Sequence, residues 1–187
     1  MILTLTILVW VVMEVWLLIR DARRGKGGTA VDRGTRTLVI VVVLVAAAGA
    51  GLAHGLLRHD PVWQFGSVGL TVAGLLVMWA GLGLRFWAVR VLGSSFRTTV
   101  EVDEGQAVVD RGPYRWIRHP SYTGMLLIVT GLGLAYGNWL SLALLLVLTL
   151  VGLLPRIAVE ERVLTSTLGR PYAEYRTHTK RLVPGLW

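Results

Sequence analysis

Long apolar segments separated by short polar ones dominate the chain. Met1–Ile19, Leu38–Leu57 and Phe65–Leu84 are each about 20 residues long, the length that a helix needs to cross the hydrocarbon core of a bilayer. The first segment is interrupted only by Glu14, the second only by His54, and the third carries no charge. The pattern therefore predicts three membrane-spanning helices.

A fourth apolar stretch, Ser121–Pro155, contains no charged residue. As a single helix it would be about 50 Å long, which is too long for one crossing. The sequence Tyr136-Gly137-Asn138-Trp139 near its middle is typical of a turn. The stretch therefore predicts a hairpin of two short helices over residues 121–158, and the fold is expected to be an all-α membrane protein with five transmembrane helices.

Basic residues predict how these helices are oriented. Arg20–Arg36 contains six arginines and lysines, whereas the loop Arg58-His59-Asp60-Pro61 is nearly neutral. By the positive-inside rule the first loop is cytoplasmic, so the N-terminus lies outside and the C-terminus inside. The chain is expected to be one membrane-embedded domain over residues 1–187, with a two-span N-terminal region over 1–64, a core over 65–187 and a cytoplasmic tail over 159–187.

Composition supports a membrane protein and narrows its chemistry. Hydrophobic residues make up 54% of the chain and charged residues 16%, compared with roughly 25% charged residues in an average soluble domain. The net charge of +8 is explained by residues that flank apolar segments, so no nucleic-acid partner is expected. There is no cysteine, and the four histidines have no metal-ligand spacing, so no metal is expected. The 17 arginines and 2 lysines favour a prokaryotic plasma membrane.

Polar residues that could carry chemistry concentrate in the second half. Pro120 suits the first position of a helix, and the free N–H groups at that helix start favour an anionic group near His119 and Tyr122. On a later helix Arg156 and Glu160 are four residues apart and share one face.

The remaining charged residues are given structural roles. Arg118 is expected to snorkel to the interface. Glu161 is expected to be solvated or to cap a helix. Glu14 is expected to be a hydrogen-bonded carboxylate that faces the bundle, with a pocket or relay role as the alternative.

Five motifs in the second half resemble the isoprenylcysteine carboxyl methyltransferase family and, more distantly, the phospholipid methyltransferases. They are Gly112-Pro-Tyr114, Arg118-His-Pro-Ser-Tyr122-x-Gly124, Glu160-Glu161-x-x-Leu164, Gly169-x-x-Tyr172-x-x-Tyr175 and Arg181-x-x-Pro184. The match covers about residues 80–187. The resemblance implies a methyltransferase-like core in which a cytoplasmic C-terminal region binds S-adenosylmethionine and releases S-adenosylhomocysteine.

The resemblance also assigns roles to residues by position. The cofactor-binding residues would be Gln106, Ala107, Val108, Val109, Tyr114, His119, Pro120, Ser121, Tyr122 and Glu160. Arg156 would meet the methyl-accepting group of a lipophilic acceptor, most simply a carboxylate, which is ionised at neutral pH and needs no general base. An amine acceptor would need a base, and Glu161 is the candidate.

Other functions stay open at this stage. A lipid-amine N-methyltransferase and an NADPH-dependent membrane reductase of the sterol-reductase type are the enzymatic alternatives. A reductase needs a site for the 2′-phosphate, whereas the Arg118-His-Pro-Ser-Tyr122 element and Glu160 favour a positively charged cofactor. A non-enzymatic membrane protein with a basic lipid-binding tail would explain the charges but not the grouping of these residues. The sequence does not give an oligomeric state.

Overall fold

The computed structural model describes residues 1–23, 34–93 and 107–185, which form helices and no β-strand. The helices are α1 (Ile2–Arg23), α2 (Thr35–Leu57), α3 (Val68–Leu92), α4 (Pro120–Tyr136), α5 (Trp139–Leu168) and α6 (Arg170–His178), with a 3-10 turn at Gly112–Arg115. Four of them, α1, α2, α3 and α5, are long and apolar enough to cross a membrane. The chain is thus an integral membrane protein, as composition predicted. The predicted fifth span, α4, is not among these four, since it has 17 residues and is only about 25 Å long.

The turn between α4 and α5 lies where the sequence predicted it. Gly137 ends α4 in a left-handed conformation with a φ of 60°, which glycine adopts without a steric penalty. Asn138 then begins α5, and its side-chain oxygen accepts a hydrogen bond from the backbone N–H of Ser141 at 2.9 Å. Backbone bonds from Phe65 to Gly137 and from Trp139 to Trp63 join this turn to the loop before α3. Both connections therefore lie at the same end of the bundle.

Glycines bring α3 and α4 into close contact. A Cβ added to Gly81 would lie 2.6 Å from the carbonyl oxygen of Gly124, and one added to Gly124 would lie 2.8 Å from the oxygen of Gly81. Gly74 and Gly131 make the same contact two turns away. Small residues let backbones approach in this way in membrane bundles, where the lipid leaves little hydrophobic drive between helices.

The second tight pair is α2 with α5. Ala46 and Ala50 of α2 are fully buried, and the hydroxyl of Ser141 donates to the carbonyl oxygen of Ala50 at 2.8 Å. The main apolar core joins these helices to α3 and α4 through Met78, Ile128 and Leu145. Helix α1 lies at the edge of this arrangement, with only three buried residues.

Candidate active site

The end of the bundle opposite the α4–α5 turn is closed by the segment that precedes α4 and by the tail. The N–H of Lys180 donates to Trp116 at 3.1 Å, and the N–H groups of Arg118 and His119 donate to Lys180 and Arg181 at 2.7 and 3.0 Å. The tail thereby fixes the backbone of the residues that lead into α4.

A buried ion-pair cluster ties this segment to α5. Glu161 is only 5% exposed and accepts from Arg118 Nε at 2.9 Å and from Arg181 Nε at 3.1 Å. Arg118 also donates to the carbonyl oxygen of Thr179. The expectations of a snorkelling Arg118 and a solvated Glu161 are therefore wrong, because each side chain finds buried partners far away in the sequence. The Glu161 carboxylate does not line the cavity described below.

Tyr122 connects two charged residues of α5 by short hydrogen bonds. Its hydroxyl donates to Glu160 Oε2 at 2.7 Å and accepts from Arg156 Nε at 2.8 Å. Arg156 Nη1 reaches further to Thr35 Oγ1 of α2 at 3.2 Å. The predicted pair on one face of α5 is thus bridged by a phenol rather than joined directly.

His119 packs beside this bridge. Its ring stacks on Tyr122 with a centroid separation of 5.5 Å, and Nδ1 lies 3.8 Å from Glu160 Oε2. Nε2 is buried and makes no hydrogen bond within the described part of the chain, although it lies 3.4 Å from Glu161 Oε1. The hydroxyl of Tyr172 on α6 is likewise buried without a partner. Both polar atoms are therefore buried within the protein without a hydrogen bond among the described residues.

A cavity of about 620 Å³ runs alongside these residues. One part is apolar and lies between α1 and α2, where Val11, Val15 and Leu44 line it and are also exposed at the surface. The other part is polar and is lined by residues around His119 and Glu160. The cavity therefore joins a wall open to the bilayer with a polar end.

Most of the sequence-predicted residues meet at this cavity. Its walls include Ala107, Val108, Val109, Tyr114, His119, Ser121, Tyr122, Arg156 and Glu160. Pro120 is buried in the first turn of α4 and does not line the cavity. Gln106 lies outside the described residues. The proposed cofactor and acceptor residues thus share one space, apart from these two and Glu161.

The structure adds residues that the sequence analysis missed as site residues. Tyr172 and Tyr175 line the cavity from α6, and Tyr175 donates to the carbonyl oxygen of Tyr114 at 2.7 Å. Arg85 of α3 lines it as well and forms a two-pronged ion pair with Glu14, at 2.7 Å from Nε to Oε1 and 2.7 Å from Nη2 to Oε2. The expectation that Glu14 is hydrogen-bonded to a neighbour is confirmed.

Burial keeps the phenols of the site neutral. It raises the pKa of Tyr114 well above its ordinary value, and the nearby Glu160 carboxylate adds to the shift. Burial also raises the pKa of Tyr172, and the carboxylates of Glu161 and Glu160 reinforce it. Both side chains therefore present protonated hydroxyls and uncharged rings to a ligand.

The polar end fits a cationic cofactor with hydrogen-bonding groups. Glu160 supplies a negative charge, and Tyr114 and Tyr122 supply aromatic faces that attract a cation. His119 and Tyr172 line the same end of the cavity. No group of three or more histidine, aspartate or glutamate side chains among the described residues is placed to hold a metal ion.

Comparison with known proteins places this arrangement in a family. The sequence model of the phospholipid methyltransferase family matches residues 70–170, more than half of the chain. The chain belongs to the phospholipid methyltransferase family. The match begins early in α3 and ends at the start of α6, so it contains the glycine contacts, the hairpin and the charged residues of α5.

Curated relatives confirm the resemblance drawn from the motifs. Protein-S-isoprenylcysteine O-methyltransferase B of Arabidopsis thaliana is 32% identical over 70% of this chain and 63% of its own length. The Saccharomyces cerevisiae protein-S-isoprenylcysteine O-methyltransferase is 33% identical over 57% of this chain and 45% of its own length.

A solved structure shares the fold. The eukaryotic intramembrane Ras methyltransferase ICMT superposes with a TM-score of 0.66 at 28% identity, covering 76% of this chain and 52% of that protein. The chain thus spans about half to two thirds of the length of these relatives.

Proposed function

We propose that this protein is a membrane methyltransferase that transfers a methyl group from S-adenosylmethionine to the carboxylate of a lipophilic acceptor. The observation that carries the proposal is a shared cavity, in which an apolar wall open to the bilayer meets Glu160, Tyr122 and Arg156. A lipid-like acceptor and a polar cofactor need such a shared space, because their reacting atoms must come into line.

S-adenosylmethionine, when bound, supplies an electrophilic methyl group on a positively charged sulfur. Glu160 and the rings of Tyr114 and Tyr122 would hold that charge, while His119 and Tyr172 would form the adjoining wall of the cofactor site. The backbone at 107–109 would form the remaining wall. In the transfer, the acceptor oxygen forms a bond to the methyl carbon, the carbon–sulfur bond breaks, and the products are a methyl ester and S-adenosylhomocysteine.

Arg156 would bind the acceptor carboxylate. It is buried, and its Nε is held by Tyr122 and one Nη by Thr35, so the planar guanidinium has a fixed orientation. A fixed guanidinium aims one carboxylate oxygen better than a flexible ammonium does. The amine alternative is disfavoured because its candidate base, Glu161, is held by Arg118 and Arg181 away from the cavity.

The paired arginines disfavour the reductase alternative. Binding of a 2′-phosphate calls for basic side chains that are available to an anion. Three described arginines of the cavity wall are already paired with carboxylates: Arg36 with Asp21, Arg85 with Glu14, and Arg118 with Glu161.

We further propose five crossings of a prokaryotic plasma membrane, with the N-terminus outside and the site at the cytoplasmic face. Helix α4 would cross as the short member of the hairpin. The arginine-rich segments around Arg20, Arg36 and Arg156 lie on the same side under the positive-inside rule.

Calorimetric titration of the purified protein with S-adenosylhomocysteine and, separately, with NADPH tests the function. Saturable binding of S-adenosylhomocysteine is expected, with loss in Glu160→Ala and no change in Glu174→Ala, an exposed carboxylate of α6. Transfer of labelled methyl to N-acetyl-S-farnesylcysteine would establish the acceptor class. Binding of NADPH alone would replace the proposal by the reductase.

A further inference from the structure

Arg85 is a charged residue within the membrane-spanning helix α3, and both sides of its guanidinium are occupied. Nε and Nη2 donate to the two oxygens of Glu14 on α1. Nη1 donates to the hydroxyl of Ser121 at 2.7 Å and to its carbonyl oxygen at 3.1 Å. Ionisable groups inside a membrane are costly and commonly serve function, so this pair calls for a role beyond holding α1 in place.

The hydrogen bond from Arg85 determines where the Ser121 hydroxyl can direct its own proton. A serine hydroxyl has one proton to donate and two lone pairs. Because Oγ accepts from Arg85, its own proton must be directed elsewhere, and it donates to none of the described residues. Ser121 is buried and lines the cavity, so the free proton is available to a ligand there.

The positive charge of Arg85 next to the Ser121 hydroxyl favours an anionic ligand. A donor that itself accepts a bond from a guanidinium is polarised and binds anionic oxygens more strongly. Glu14 pairs with Arg85 and also accepts a hydrogen bond from the indole of Trp10 at 3.1 Å, which keeps the guanidinium in place. The close contact of Gly124 with the backbone of Arg85 brings α3 near enough for this reach.

We propose that Arg85 is a positioning residue that directs the Ser121 hydroxyl to donate a hydrogen bond to a carboxylate bound in the cavity, with Glu14 holding Arg85 in that geometry. The inference rests on the proposed function, which supplies two candidate carboxylates. One belongs to the amino-acid part of the cofactor, and the other belongs to the acceptor.

Two matched ligand pairs separate these sources. The first pair is S-adenosylhomocysteine and its decarboxylated analogue, and the second is N-acetyl-S-farnesylcysteine and its carboxamide. Binding of all four to the full-length wild type and to Ser121→Ala is measured by calorimetry. A hydrogen bond to a charged group corresponds to a loss of roughly tenfold to a hundredfold in affinity. That loss is expected for the carboxylate member of one pair only.

Arg85→Lys tests the positioning role. Lysine keeps the positive charge but lacks the fork that reaches Glu14 and Ser121 together. The same carboxylate-specific loss is expected, whereas a merely structural role would weaken both members of a pair equally. The control variant is Thr130→Val on α4, the helix that carries Ser121, since the Thr130 hydroxyl donates to the carbonyl oxygen of Leu126 within that helix and no loss is expected.

The possible outcomes separate a failure of this inference from a failure of the proposed function on which it rests. A loss confined to S-adenosylhomocysteine assigns the donor to the cofactor, and one confined to N-acetyl-S-farnesylcysteine assigns it to the acceptor. Equal changes within both pairs, or no change at all, would overturn the inference. A wild-type protein that binds neither S-adenosyl ligand would overturn the proposed cofactor, and the farnesylcysteine pair would still decide the role of Ser121.

Discussion

Arg118 and Glu161 form an ion pair at 2.9 Å with both side chains buried, 43 residues apart in the sequence. The pair joins the segment before α4 to α5, and Arg181 adds the tail to the same carboxylate. Glu161 thus holds together the segments that form the site, while the neighbouring Glu160 lines the cavity.

Arg118→Ala is expected to lower the free energy of unfolding by about 3–5 kcal/mol, because it leaves the buried Glu161 without a main partner. Thermal unfolding in detergent measures this. The control is Arg170→Ala, which breaks the exposed pair with Glu174. Exposed pairs contribute at most about 1 kcal/mol, so equal destabilisation by the two variants would contradict the structural role of Arg118.

Gly81→Ala is expected to destabilise the protein by about 1–3 kcal/mol, since the added methyl group would overlap the backbone of Gly124 and Ile128. Gly83→Ala, on the same helix, meets no atom within 4 Å. It is expected to be neutral or stabilising by up to about 1 kcal/mol through helix propensity. Unfolding midpoints of the two variants, compared in the same detergent, test the close approach of α3 and α4.

Arg156→Ala is expected to reduce methyl transfer by roughly 30-fold or more, the effect of losing a buried charged contact to the acceptor. Binding of S-adenosylhomocysteine should be retained, because Glu160 and the aromatic rings remain. The exposed Arg162 on the same helix provides the control variant Arg162→Ala. Unchanged turnover in Arg156→Ala, with intact cofactor binding, would remove Arg156 from the acceptor site.

Stability is expected to fall as the pH rises above about 10, the ordinary pKa of tyrosine. Burial raises the pKa of Tyr114 and Tyr172, so the unfolded chain loses these protons first and ionisation favours unfolding. The midpoint of thermal unfolding, measured at several pH values between about 8 and about 11, tests this pH dependence of stability. Tyr172→Phe should flatten this dependence, and a slope equal to that of the wild type would show that Tyr172 is not protected in the folded state.

Local sequence signals were sufficient to predict the turn between α4 and α5 and the start of α4. Gly137 and Asn138 combine a left-handed helix end with a side-chain cap, and Pro120 and Gly169 mark helix boundaries, so neighbouring residues alone specify these points. The grouping of His119, Tyr122, Arg156 and Glu160 followed from the resemblance.

Long-range partners could not be predicted in the same way. Arg118 looked like an interfacial arginine because its partners, Glu161 and Thr179, lie 43 and 61 residues away. Two signals were nevertheless present. Glu14 lies within the first apolar segment and Arg85 directly follows the third, and a membrane favours the pairing of such opposite charges. Glycines seven residues apart recur in α3 at Gly74 and Gly81 and in α4 at Gly124 and Gly131.

The pairing of the tail with the segment before α4 has a consequence for biogenesis. Lys180, Arg181 and Leu182 each form hydrogen bonds to residues between Trp116 and Thr123, so these contacts are missing until the ribosome has added residues 180–182. Until then this end of the helix bundle lacks the contacts that close it. The end of the cavity near His119 is therefore completed only after α1 to α5 have been synthesised, and a ribosome stalled before residue 180 would leave these helices without that closure.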